Sequence, residues 1–318
     1  MNKLKKVGLT ALGTALVASS AYAETFTATG GASMTFVGHE QKDTGNGWSM
    51  GQEVSLAASK TLENDWTVTN TLQLDGTAGQ GNSFDNATLK IDMNELGVLT
   101  FAGHGNSGAV NAIDDMLPSA NEESWALVNG ATTPGKGSDN ANNNFTYTNP
   151  LDGIEGLDLK ITYQPSDGTD VEGSTEYGLT YKMDVADDGE LTIGAAFGDN
   201  NGATKAVANT NAYAKLAIDK FTIGMQSNES DSDTANADVD MFGVAVSYAI
   251  NDDMSVSYGV TEFDYENTSL TDQEATGLSI SYTSGGMTLS ASQNSVDAVG
   301  GTAGTNRTAY EINLTFDF

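Results

Sequence analysis

The 318-residue chain contains no cysteine, which excludes disulfide frameworks and thiolate metal sites. Histidine occurs twice, as His39 and His104, too far apart for a histidine metal motif and in no recognisable nucleophile context. The residues therefore point away from an enzyme. Arginine occurs once, at Arg307, and proline four times. Basic residues number 13 against 43 acidic ones, for a formal net charge of −30. A nucleic-acid partner is excluded, because neutralising phosphates requires Lys and Arg. No apolar run reaches the roughly 18–20 residues of a spanning helix. On these absences alone the chain reads as acidic and water-soluble.

What is present changes that reading. Lys3, Lys5 and Lys6 precede an apolar segment from Val7 to Val17, and Ala21-Tyr22-Ala23 comes before Glu24. A basic start, a short apolar run and an A-x-A site make a secretory signal peptide over 1–23. The mature chain would begin at Glu24, with 10 basic residues against 43 acidic, about −33.

From 24 to 318 the chain alternates apolar and polar residues in short runs. At the end, Tyr310, Ile312, Leu314, Phe316 and Phe318 share one face, and Ala309, Glu311, Asn313, Thr315 and Asp317 share the other. The period predicts strands near 25–37, 51–60, 65–74, 86–93, 98–104, 142–148, 156–164, 174–183, 189–198, 209–218, 220–227, 239–249, 253–263, 274–283, 286–293 and 307–318. Sixteen is an even number, and the connections alternate between long and short. Long loops at one end and tight turns at the other describe an up-and-down outer-membrane barrel. Greek-key sandwiches mix their connection lengths instead. In such a barrel the apolar face meets lipid and the polar face meets water, which explains the low overall hydrophobicity.

One stretch, 105–141, breaks the alternation. It is long for a structureless connection and carries Asp114, Asp115, Glu122 and Glu123 beside Trp125, Leu127 and Val128. A loop folded into the lumen is expected there. By strand parity Lys90, Lys160, Lys182, Lys215 and Arg307 point inward, with His104 a candidate to join them, as do Glu53, Asp92, Asp158, Glu176, Glu190, Glu311 and Asp317. Charged groups in a narrow pore select ions, because low-dielectric walls focus their field. Asp114, Asp115, Glu122 and Glu123 facing Lys90, His104 and Arg307 are the expected constriction. Lys160, Lys182, Lys215 and Glu311 are expected on the pore wall. Asp231, Asp233, Asp238 and Asp240 are expected in an external loop, with spacing that could hold Ca²⁺, although the run lacks the EF-hand glycine and final glutamate and reads more readily as a solvated charge cluster.

The chain resembles the Gram-negative general diffusion porins over its whole mature length. The local signature is ATLKIDMNELGVLTFAGHGNSGAVNAID, ending at Asp114. In it a strand ends, a short turn follows, and Gly97-Val98-Leu99-Thr100-Phe101-Ala102-Gly103-His104 leads into the longest loop. The resemblance implies that this third loop narrows the barrel. It implies that Phe318 is the signal read by the outer-membrane assembly machinery, and that the first strand makes a homotrimer contact through Ala28, Gly30 and Ala32. Lipid and lipopolysaccharide would surround the barrel, and ions and small hydrophilic solutes would pass through it without a cofactor. One departure matters. The family sets an arginine cluster against the loop acids, and this chain has only Arg307. The acid excess implies a cation-leaning pore. A substrate-specific channel on the same barrel, or a secreted all-β adhesin, are the competing readings.

Overall fold

The computed structural model describes residues 25–40, 46–77, 83–105, 108–135, 142–151, 153–166, 173–185, 189–201 and 206–318. The expected signal peptide lies outside them, as do 106–107 and 136–141 of the long loop. The first eight strands are β1 (Thr25–His39), β2 (Trp48–Thr61), β3 (Thr67–Thr77), β4 (Ser83–Asp92), β5 (Val98–His104), β6 (Asn144–Pro150), β7 (Leu157–Gln164) and β8 (Ser174–Asp184). The second eight are β9 (Gly189–Asn201), β10 (Ala206–Ile218), β11 (Phe221–Ser232), β12 (Val239–Asn251), β13 (Met254–Tyr265), β14 (Gln273–Ser284), β15 (Met287–Asp297) and β16 (Arg307–Asp317). Each pairs antiparallel with its sequence neighbours, and β1 pairs with β16, so the sheet is a closed barrel.

Every expected strand is present, with ends shifted by a few residues. The largest correction is at β11, which continues to Ser232. Asp231 therefore lies on β11 and Asp240 on β12, and only Asp233 and Asp238 are in the connection. Among the described residues no cluster of acids or histidines is placed to hold a metal. The Ca²⁺ expectation at Asp231, Asp233, Asp238 and Asp240 is therefore not met: Asp240 feels the charges of Asp231 and Asp238, but no three of these carboxylates converge as a metal needs.

The two faces follow the alternation. On β11, Phe221, Ile223 and Met225 are exposed outward, while Gln226 and Asn228 on the opposite face are buried. Closure leaves no unpaired edge, the condition for a sheet to sit in hydrocarbon. Tight turns join the strands at one end: Gly285 and Gly286, both at positive φ, form the two-residue link between β14 and β15 that such hairpins favour. Outward aromatic pairs mark two levels. Phe221 and Tyr248 lie 4.6 Å apart at the turn end, and Phe36 with Trp48 and Tyr177 with Phe197 pair at the loop end. Such girdles suit the two membrane interfaces.

Sixteen strands enclose more space than side chains alone fill. Part of that space is taken by the loop between β5 and β6, which packs on the inner face.

Candidate functional site: the long loop against the inner wall

The loop's apolar side chains need a dry surface, and the wall supplies one. Leu117, Trp125 and Val128 are buried with the inward Met241, Ala245, Phe263, Ala275, Val296 and Ala309, and with Val299. Trp125 meets Phe263 edge-on, ring centroids 6.1 Å apart, a favoured aromatic geometry. Full burial of one such side chain contributes about 1.5–3 kcal/mol, so this small core can hold an otherwise irregular segment. A second contact joins Val110 and Ile113 to Ala196 and Tyr213.

Close approach is built into the wall. A Cβ added at Gly277 would sit 2.7 Å from Ser124 Cα, and one at Gly243 would sit 2.7 Å from Leu117 Cδ1. Glycine at these inward positions lets the loop lie flat on the strands.

Polar side chains then satisfy the loop's backbone, which has no ladder of its own. Glu176 accepts from the Val110 amide at 3.0 Å. Gln226 Oε1 accepts from the Met116 amide, and Gln226 and Asn228 donate to the Asp114 carbonyl. Ser257 accepts from the Ala120 amide. Gln273 accepts from the Thr132 amide and donates to the Thr132 carbonyl, and Thr132 Oγ1 contacts the Tyr265 hydroxyl. The tightest clip is over 119–124. Ser290 and Ser292 bond the Asn121 side chain, Asn121 donates to Glu311 Oε1 at 3.1 Å, and Ser124 meets Thr261. Ser279 donates to the Glu122 carbonyl and Asn294 to the Glu123 carbonyl.

This geometry redistributes the expected constriction residues. Asp114 is buried with its carbonyl caught by the wall, whereas Asp115 is exposed. Glu122 and Glu123 are half-buried beside Glu311. Burial, then the charges of Glu311 and Glu123, push the Glu122 carboxyl up to about 7; burial also pushes Glu123 up, with Asp115 adding to it. Arg307 does not face the loop acids across the lumen: its Nη1 donates to the Asn129 carbonyl at 2.6 Å, so it pins the loop. His104 is exposed with Nδ1 2.9 Å from the Asp85 carbonyl oxygen, and Lys90 is exposed on β4 in register with Thr69 and Thr100. Neither has a described hydrogen bond or ion pair with the loop carboxylates.

Lys182 pairs with Glu190 at 2.7 Å, Lys215 stands in register with Thr192 and Gly224, and Lys160 is half-buried under the loop. The anchoring set of Met241, Phe263, Val296, Gln226, Gln273 and Asn294 was not anticipated. Its signal was visible: in Met241-Phe242 two large apolar residues follow each other, so one must face the supposedly wet interior.

Opposite the loop the wall is bare. Asp317, Gly31, Glu53 and Asp75 lie in one register row across β16, β1, β2 and β3. They line an open recess of about 380 Å³ with Ser33, Gly51, Asn313 and Thr315. Gln73 Nε2 donates to Glu53 Oε2 at 3.0 Å.

The fold has known counterparts. Mutant forms of the porin of Rhodopseudomonas blastica superpose with TM-scores of 0.69 and 0.70, at 16% identity, over 92% of this chain and 100% of theirs. No curated protein sequence matches. A family profile described as Gram-negative porin matches residues 8–269, most of the chain. A closed sixteen-stranded barrel with its alternation inverted, together with that match, makes this an outer-membrane channel rather than an enzyme: the chain belongs to the Gram-negative porin family.

Proposed function

We propose that the chain forms a water-filled pore for passive diffusion of ions and small hydrophilic solutes, cation-leaning, in a homotrimer. The observation that supports the cation preference is the bare wall. Its described charged groups in the recess are Glu53, Asp75 and Asp317, with no arginine among them. The loop opposite adds Asp115, which is exposed, while Arg307 is spent on the loop backbone. Carboxylates on both sides concentrate cations rather than set up a transverse field.

Export through a signal peptide cleaved between Ala23 and Glu24, reading of Phe318 by the assembly machinery, and a lipopolysaccharide surround belong to the same reading. For the trimer, Ala28, Gly30 and Ala32 make a low-relief outward stripe on β1. Asn70, outward and exposed on β3, donates to the Thr88 carbonyl at 3.1 Å, so its amide is partly satisfied without a neighbouring subunit.

Single-channel recording in a planar bilayer under a KCl gradient tests the proposal. Current steps grouped in threes and a cation-selective zero-current potential are expected. An anion-selective potential would overturn the role of the bare wall. A folded protein giving no steps at all would move the secreted adhesin ahead.

A further inference from the structure

A second cavity, of about 360 Å³, lies between the start of the loop and the β6–β8 wall. Its volume is within the range of ordinary ligand pockets, about 300–1,000 Å³. Ala109, Ala112 and Ile113 of the loop give it an apolar side. The facing wall presents Asp158 and Lys160 from β7, with Thr148 and Thr180 alongside.

Register fixes how these groups stand. Lys160 is opposite Thr148 and Gly178, and Asp158 is opposite Thr180, so the four polar side chains share the inner face. Asp158 and Lys160 are two positions apart on one strand, which places their Cα atoms about 7 Å apart. Gly178 is lined closely by Ala109 Cβ, so the loop closes over this part of the wall.

Lys160 is half-buried, and no described hydrogen bond or ion pair reaches it. The other acid near it, Glu176, is fully buried and takes the Val110 amide. A partly desolvated ammonium short of a bonded counter-charge gains from an anion brought by a solute. The exposed Asp158 beside it favours a cation on the same solute.

We propose that this cavity is a weak, saturable subsite for small zwitterions, namely α-amino acids with aliphatic side chains. The carboxylate meets Lys160, the ammonium meets Asp158, and the side chain lies against Ala112 and Ile113. Thr148 and Thr180 offer hydroxyls to either end. The inference rests on the channel reading and names a solute class for it.

The test is open-channel current through the reconstituted protein in KCl, with three probes on one carbon skeleton: L-leucine, 4-methylpentanoate without the ammonium, and 3-methylbutylamine without the carboxylate. Leucine should add saturable current interruptions, at about tenfold lower concentration than either single-charge analogue. Lys160→Met and Asp158→Asn should each remove that advantage while KCl conductance persists. Equal behaviour of the three probes on the unmodified protein overturns the subsite without needing any variant. Leucine interruptions that survive both substitutions also overturn it, by placing the contact elsewhere. Interruptions by 4-methylpentanoate equal to leucine's and indifferent to Asp158→Asn would make it an anion site and overturn the zwitterion. Absence of KCl steps is a separate result: it sinks the channel reading, and the subsite with it.

Discussion

The barrel has two inner walls built to different rules. Between β8 and β16 many inward glycines, hydroxyls, amides and a few large apolar side chains meet the loop. From β16 through β3 the recess-lining inward positions are small or acidic, and nothing described packs on them. The first wall is an anchoring surface that happens to face inward. The second is left open to the lumen. Position relative to the lumen therefore does not by itself decide a residue's surroundings: some inward side chains hold the loop, and those of the recess are left uncovered.

The largest break in this contrast comes from Trp125→Ala. Removing the centre of the loop–wall core should cost about 3–5 kcal/mol of loop docking, seen as new protease cleavage within 108–135 and as noisy open-channel current. The barrel itself should still form, because its strand pairing does not use Trp125. Next is Gly277→Ala, whose Cβ would press on the Ser124 backbone. A loss of about 1–3 kcal/mol in docking is expected, with the same noise. Gly31→Ala on the bare wall meets nothing nearer than 3.4 Å and should leave both readouts unchanged; equal effects at the two sites would erase the distinction between walls.

A smaller effect is pH-dependent. The docked Glu122 carboxyl sits at about 7 against an ordinary 4.5, so the docked loop holds its proton more tightly than a released one. Docking is fully favoured below about pH 4.5, weakens as pH rises toward 7, and changes little above that. Current noise should grow across that interval and lose its pH dependence in Glu122→Gln. Smallest is charge removal from the bare wall. Each of Glu53→Gln and Asp75→Asn should lower cation preference by about 0.5 kcal/mol, roughly twofold. Asp114→Asn, buried where the loop meets the wall, should leave the zero-current potential where it was.

The strands were legible because period-two alternation is a property of neighbouring residues, and β5 matches its expected span of 98–104. The loop's entry into the barrel was legible for the same reason: 105–141 lacks the period. What the loop touches was not legible. Strand parity puts Arg307 and Lys90 on one side of the sheet, but which of them meets the loop depends on where an irregular segment turns, and Arg307 turned out to hold its end. The acids were misjudged similarly. Asp114 and Asp115 are neighbours in sequence, yet a short helical turn at Asn111–Ile113 sends one into the wall and leaves the other exposed. Aspartates that alternate along Asp231–Asp240 read first as a solvated charge run and only second as a ligand set, and pairing puts Asp240 opposite Glu229 and Asp264 as a ladder.

The seam of the barrel carries a consequence for biogenesis. The Phe318 amide donates to the Gly30 carbonyl at 2.8 Å, and the Gly30 amide donates to the Phe318 carbonyl at 3.1 Å. This reciprocal pair extends the β1–β16 pairing that closes the ring. Until it is in place, β1 and β16 are two open margins, which hydrocarbon does not tolerate. A sheet missing either margin strand has no closed form to place in hydrocarbon. A chain lacking β16 would reach the membrane as a sheet with nowhere to close.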